Sequence, residues 1–410
     1  MSAGAGIDPG RMRADFDRLA EFGATAAGGV SRPTFSAEHL AARAWFLQRA
    51  RDTGLETHID SAGNHSAVLP SSGRRTLLLG SHLDSVPDGG RYDGALGVIA
   101  ALEVVRSVRD AGLTLPVSLE AIDFTDEEGT LVGLLGSRAL AGTLQREQLL
   151  APRGGRAALL EGLARAGLFE ERLYAARRDA TSLAGYLELH IEQGPHLEQQ
   201  GARIGIVTGI VGSRSFEIIF EGQAGHAGTT PMQSRRDAGV GAAAVVVAVR
   251  KTVTSSFPGC VATVGRVSFE PGAFNVIPGR ATVALEFRSL DAVRLDALEQ
   301  ALLESARAEA AAAGLQLVVE PVGRWDPTPL DAGVRAAATR AANACGLEPL
   351  DMASGAGHDA QSLAPITPSG MIFVPSAGGI SHSPHEQTTW EDCVAGANVL
   401  LAATLDLAAG

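Results

Sequence analysis

Residues 76–124 carry the pattern that leaves the fewest folds open. Thr76-Leu77-Leu78-Leu79-Gly80 is a short apolar run ending in glycine, as a buried strand does. Residues 94–112 follow a helical period, and residues 117–124 form a second apolar run. Strand, helix, strand in that order needs a crossover, so a parallel sheet covered by helices is expected. Apolar residues make up 45% of the 410 and charged residues 20%, enough to bury such a core.

The rest of the chain extends this α/β plan and then interrupts it. Residues 11–24 and 36–54 read as amphipathic helices, the Arg/Ala/Leu-rich stretch 141–185 as helices over the surface, and 186–191 as another strand. Near residue 207 the texture changes. A strand (214–221), a helix (236–253), two strands (260–269 and 280–288), a helix (292–313) and a strand (315–321) follow. That β-α-β-β-α-β order fits a ferredoxin-like unit of about 115 residues. A helix (331–345), a strand (371–374) and a closing helix (388–408) complete the chain. The expected architecture is a discontinuous α/β domain, residues 1–206 and 324–410, with a smaller α+β domain, 207–323, inserted.

Charge and cysteine content exclude several classes of function. The net charge of −12 argues against nucleic acid or an anionic membrane as partner. The single lysine, Lys251, follows no glycine, which rules out a phosphate-binding loop of the G-x-x-x-x-G-K type. Cys260, Cys345 and Cys393 are too far apart for a C-x-x-C motif and suit a reducing compartment. No apolar run of about 18 residues points to a membrane span, and the start Met1-Ser2-Ala3-Gly4 has no leader pattern. A cytoplasmic enzyme is expected.

The chemistry sits where the strands end. His82 and Asp84 follow the first apolar run, and Asp93 follows a Gly-rich turn. Asp84 is placed to hold the second N–H of His82, a common way of orienting a metal-binding imidazole. Asp123, Asp126, Glu127 and Glu128 put four carboxylates in six residues, a repulsive arrangement unless cations offset it. His190 ends the next strand, and His382 and His385 follow the last. Read singly, each has a plainer explanation: Asp93 as a helix N-cap, the acidic run as a solvated loop, a histidine as a structural residue. Together they make an imidazole and carboxylate set without thiolates, which suits Zn²⁺, Mn²⁺, Co²⁺ or Ni²⁺. Asp93 can bridge two such ions, with His82 and His190 on one and Glu128 and His382 on the other. Glu127 is then left to take a proton from a water between them.

These segments, with Gly225-His226-Ala227-Gly228-Thr229-Thr230-Pro231-Met232, Asn275-Val276-Ile277-Pro278-Gly279, Phe287-Arg288-Ser289 and Ser354-Gly355-Ala356-Gly357-His358-Asp359-Ala360, resemble the M20 metallopeptidase-like amidohydrolases. The His190-Ile191-Glu192-Gln193-Gly194-Pro195 stretch favours the branch of N-carbamoyl-L-amino-acid hydrolases, β-ureidopropionases and allantoate amidohydrolases. The resemblance implies two divalent ions held by His82, Asp93, Glu128, His190 and His382, with Glu127 as general base. It places Gln193, His226, Asn275 and Arg288 on the substrate, with the Gly357-His358 loop offering main-chain N–H groups to its carboxylate. It further implies that the inserted domain is a lid and a homodimer surface, and that the substrate is a small ureido acid. His226 and Asn275 are donors suited to an oxyanion, and Arg288 suits a carboxylate. The plainer readings, which carry less weight, are Arg288 as a surface ion-pair partner and Asn275 as a turn former. His385 stands where the family has a small residue. His382 is favoured as ligand, since it follows the Gly-Gly-Ile-Ser turn and precedes Glu386 by four.

Overall fold

The first apolar run is a strand, Thr76–His82, in which every residue from Leu77 to His82 is buried. It pairs in parallel with Ser118–Phe124 on one side and Leu183–Ile191 on the other. Ser369–Val374 pairs in parallel with Leu183–Ile191. All four strands therefore end at the same edge of the sheet, which is where His82, the acidic loop, His190 and the 376–388 loop emerge. Antiparallel strands flank this core. Glu56–Ile59 and His65–Leu69 extend it beyond Ser118–Phe124, and Gly205–Ile210 lies beside Ser369–Val374. The sheet is thus mixed at its margins and parallel at its centre.

The crossover helix Ala95–Asp110 is buried from Ala95 to Val108, because it packs on the sheet with one face while Pro9–Ala20 and Trp390–Ala409 cover the other. Residues 141–185 fold less regularly than expected. They form short helices, Arg146–Leu150 and Arg156–Arg165, and two 3₁₀ turns, around a small core of Leu144, Leu149, Leu159, Leu163 and Leu173.

The computed structural model describes residues 6–409; residues 1–4, on which the leader expectation rests, lie outside them. The chain divides into two units, one ending at Thr208 and resuming at Leu330, the other Gly209–Pro329. The smaller unit ends later than 323 because its last strand, Gln316–Trp325, runs four residues past the expected end. Its four-stranded antiparallel sheet has the order Gln316–Trp325, Gly212–Glu221, Arg280–Ser289, Val261–Glu270, with helices Ala238–Ser256 and Ala292–Ala312 packed on it. In sequence order that is 4-1-3-2, the ferredoxin-like arrangement.

Two helices exceed the sequence expectation in apolarity. Ala238–Ser256 and Trp390–Ala409 have mean hydropathy 1.3 and 1.4 and are long enough to cross a bilayer. Polar residues break each run, so a count of consecutive apolar residues misses them. Trp390–Ala409 is apolar because Cys393, Ala397, Val399, Leu400 and Leu401 join the main core. Ala238–Ser256 buries Ala242, Val245, Val249 and Val253 on its sheet but leaves Val240 and Val247 56% and 70% exposed.

Candidate active site

His82 and His190 are fixed by main-chain carbonyls. Nδ1 of His82 lies 3.0 Å from the Asp84 carbonyl, and Nδ1 of His190 lies 2.8 Å from that of Ile191. A carbonyl can only accept, so each Nδ1 carries a proton and each Nε2 is the donor atom a cation would meet. Both Nε2 atoms face Oδ1 of Asp93, at 3.8 Å from His82 and 3.1 Å from His190. The other oxygen of Asp93, Oδ2, lies 3.2 Å from Nε2 of His382, which is also 3.4 Å from Oε2 of Glu128.

Asp93 thus presents one oxygen to each of two donor sets, His82 with His190 and Glu128 with His382. It is no helix cap: Gly94 takes the N-cap position of Ala95–Asp110, without a side-chain hydrogen bond. A further group, Glu188, His190 and His358, shares His190, whose two ring nitrogens are already directed at Asp93 and Ile191, so it makes no independent set.

The acidic run separates into two functions. Asp123 turns inward to Nε of the buried Arg43, 2.7 Å away, and accepts from the Leu83 amide. Asp126 accepts the amides of Leu131, Val132 and Gly133. These two shape the loop, while Glu127 and Glu128 reach the site. Asp84 departs from expectation. Its carboxylate is 3.8 Å from Nδ1 of His82 and instead accepts the amides of Glu127 and Glu128, each at 3.2 Å. The His82 ring is oriented by the Asp84 main chain, and the Asp84 side chain orients the two glutamates.

The site holds more acid than base. Burial first, then Asp359 and Glu128, holds the Glu127 carboxyl well above its ordinary range; burial and Asp93 do the same to Glu128. Burial also acts on Asp93, but its hydrogen bonds to His190 and His382 outweigh it and hold the carboxyl well below the usual range. Burial keeps His82 neutral, at about 4. On His190 burial is overridden by the bond to Asp93, which lifts it to about 9. Without a cation, then, Asp93 draws a proton onto His190. A divalent ion bound there would replace that proton and offset the clustered carboxylates. The donor set therefore fits hard or borderline cations bound through nitrogen and oxygen.

Both candidate histidines near the C-terminus are exposed, but only His382 enters the donor set, and the His385 amide donates to Ser383. His382→Ala should weaken uptake of one ion, while His385→Ala should leave metal stoichiometry unchanged. A metal titration of the two variants giving the opposite ranking would exchange their roles.

The expected substrate residues fall in both units. Gln193 donates through Nε2 to Oδ2 of Asp93 at 2.9 Å and to Ser381 Oγ at 3.2 Å, while its Oε1 is buried without a hydrogen-bond partner. His358 is buried rather than open: its ring lies 4.5 Å edge-on to His190 and its Nε2 is 2.9 Å from Ser354 Oγ. Gly357 precedes it in the turn before helix Asp359–Leu363.

In the smaller unit, His226 pairs with Val276, and the Ala227 amide donates to the Asn275 carbonyl, so His226 and Asn275 are neighbours. Nδ1 of His226 accepts from the Gly228 amide at 3.1 Å, which leaves the ring proton on Nε2 as a donor. Nε and Nη2 of Arg288 both lie 2.8 Å from Oε1 of Glu286.

Sequence reading used Ser381 and Glu386 only to mark the turn around His382, gave neither a role, and passed over Arg43. Arg43 had a visible mark, a charged residue within the apolar stretch Leu40–Leu47 of helix Ala37–Asp52.

The chain is similar to known proteins over nearly its whole length. The profile of peptidase family M20/M25/M40 matches residues 78–406. The chain is 40% identical over 402 residues to an N-carbamoyl-L-amino acid amidohydrolase of Geobacillus stearothermophilus, covering 96% of this chain and 97% of that one. It is 34% identical over 377 residues to an allantoate amidohydrolase of Bacillus subtilis, covering 90% and 91%. The crystal structure of an amidase of the hydantoinase/carbamoylase family from Burkholderia multivorans superposes with a TM-score of 0.90 at 36% identity, covering 99% of each chain.

Proposed function

Because the chain belongs to peptidase family M20/M25/M40, we propose that it is a metal-dependent amidohydrolase acting on N-carbamoyl-L-amino acids. It hydrolyses the ureido C–N bond, and water and the ureido acid become the amino acid, carbon dioxide and ammonia. The observation that carries this reading is Asp93, one oxygen toward His82 and His190 and the other toward His382, beside a glutamate that belongs to neither donor set. The names of the relatives support an amidohydrolase, and the choice of carbamoyl substrate rests on the 40% identical relative.

His82, His190, Asp93, Glu128 and His382 would hold two divalent ions, Mn²⁺, Co²⁺, Ni²⁺ or Zn²⁺. Such ions, when bound, acidify water and polarise a carbonyl. Glu127 takes the proton of the attacking water and returns it to the departing nitrogen. Nε2–H of His226 and the Asn275 amide donate to the oxyanion that forms on the ureido carbon. Arg288 binds the substrate carboxylate, and Gln193 offers Oε1 to a ureido N–H.

Allantoate is also a ureido acid, and the Bacillus relative is named for it, so it is the second reading. Metal-loaded protein assayed against N-carbamoyl amino acids, allantoate and dipeptides should turn over the first group fastest. Preference for allantoate would select the second reading, and preference for dipeptides would overturn both.

The smaller unit serves as lid and as homodimer surface in this proposal. Its support is the exposed apolar face of helix Ala238–Ser256 around Val240 and Val247. If His226 acts in the partner's site, co-refolded Glu127→Gln and His226→Ala chains form heterodimers with one intact site. Random exchange puts about half the subunits in heterodimers, so roughly a quarter of wild-type activity should return. Verified exchange without rescue would place His226 in its own subunit's site.

A further inference from the structure

We propose that Glu386 is the positioning residue of the cation site formed by His382 and Glu128, acting through a closed ring of hydrogen bonds around Asp93. The proposal rests on the two-cation reading above. Glu386 is 5% exposed. Its Oε1 accepts the amides of Tyr92 and Asp93, at 2.9 and 3.1 Å. Its Oε2 accepts from Ser381 Oγ at 2.8 Å. Ser381 Oγ in turn accepts from Nε2 of Gln193 at 3.2 Å, and the same Nε2 donates to Oδ2 of Asp93 at 2.9 Å. Asp93 is therefore held at its main-chain amide by Glu386 and at one carboxylate oxygen by Gln193, with Ser381 joining the two holds.

Of the two carboxylate oxygens of Asp93, the ring bonds only Oδ2. Oδ2 is the oxygen facing His382, and His382 directly follows Ser381 in the chain. His382 also has a positive φ of 53°, a backbone state that neighbouring contacts must over-determine. The packing around Glu386 leaves no slack: a Cβ built on Gly90 would lie 1.9 Å from Oε1. The opposite donor set shares Asp93 through Oδ1, but its two imidazoles are oriented by the carbonyls of Asp84 and Ile191 rather than by the ring. A carboxylate suits position 386 because one oxygen can accept two amides while the other accepts a hydroxyl, and charge strengthens all three bonds.

The test is a titration of chelator-stripped protein with Co²⁺, followed by calorimetry and by the visible absorption of bound cobalt. Wild type should take up two equivalents. Glu386→Ala should retain one tight site and weaken the other by about 10- to 100-fold, the usual effect of removing a group that orients a ligand. Ser381→Ala should weaken the same site by less. Glu386→Gln should largely rescue, because its Oε1 still accepts both amides and its Nε2 can donate to Ser381. Equal weakening of both sites in Glu386→Ala and Ser381→Ala, or no weakening of either, overturns the ring. If Glu386→Ala fails to fold, Ser381→Ala and Glu386→Gln decide alone: two intact sites in Ser381→Ala would overturn it. A wild type that takes up a single equivalent overturns the two-cation reading, and the ring with it, which is a distinct result.

Discussion

Glu127→Gln should bind metal as wild type does and lose two or more orders of magnitude in kcat. The two adjacent glutamates reach the same site but occupy it differently. Oε2 of Glu128 is 3.4 Å from His382 and belongs to a donor set, whereas Oε2 of Glu127 is 3.6 Å from Nε2 of His82 and belongs to none. Only 10% of the Glu127 side chain is exposed. Burial and the neighbouring carboxylates hold its carboxyl well above the ordinary range, so its service as a base depends on cations that offset this cluster. Glutamine keeps the shape and the hydrogen-bonding reach but cannot accept that proton, and general base catalysis is worth roughly 10²- to 10⁴-fold. Metal content and kcat measured on one preparation separate the possibilities. Near-normal turnover would remove Glu127 from the base role, and loss of an ion would make it a ligand.

The donor residues were legible in the sequence because each is tied to a local pattern. His82 and His190 end apolar runs, and a parallel sheet brings the ends of such runs to one edge. The order of elements likewise announced the ferredoxin-like unit. What local pattern could not reveal is pairing across the chain. Glu386 meets Tyr92 and Asp93 some three hundred residues away, and its spacing of four from His382 marks the turn but not those partners. Asp84 shows the same limit at short range. Its proximity to His82 in sequence suggested a side-chain contact, but the chain turns so that its carbonyl meets the imidazole and its carboxylate meets the next loop. The Arg/Ala/Leu-rich stretch 141–185 forms the expected helices, but in short pieces. Composition favours helix there, yet Pro152, Gly154, Gly155 and Gly167 break it into short helices.

Wild type should prefer N-carbamoyl acids strongly over their carboxamide analogues, and Arg288→Ala should lose most of that preference. A ureido acid has one fixed charge, and the enzyme needs a cation that orients it. Arg288 sits near the end of strand Arg280–Ser289, and in the structure its guanidinium already faces a carboxylate, with Nε and Nη2 on the same oxygen of Glu286. Both nitrogens meet one oxygen of a residue two places away on the same strand, which supplies the competing explanation, a purely local ion pair. The two explanations diverge under substitution. Losing a charge-assisted bidentate contact to substrate costs a few kcal/mol, on the order of 100-fold in kcat/KM for the acid. The carboxamide, which lacks the charge, should lose far less. Arg288→Lys should also be poor, because a point charge cannot reproduce the planar fork. Glu286→Gln removes the local partner but leaves the fork, so it should keep the acid preference. If Arg288 serves only Glu286, the Arg288→Ala and Glu286→Gln variants should behave alike and both retain the wild-type ratio of acid to carboxamide. That result would return Arg288 to the surface and require another cation for the substrate.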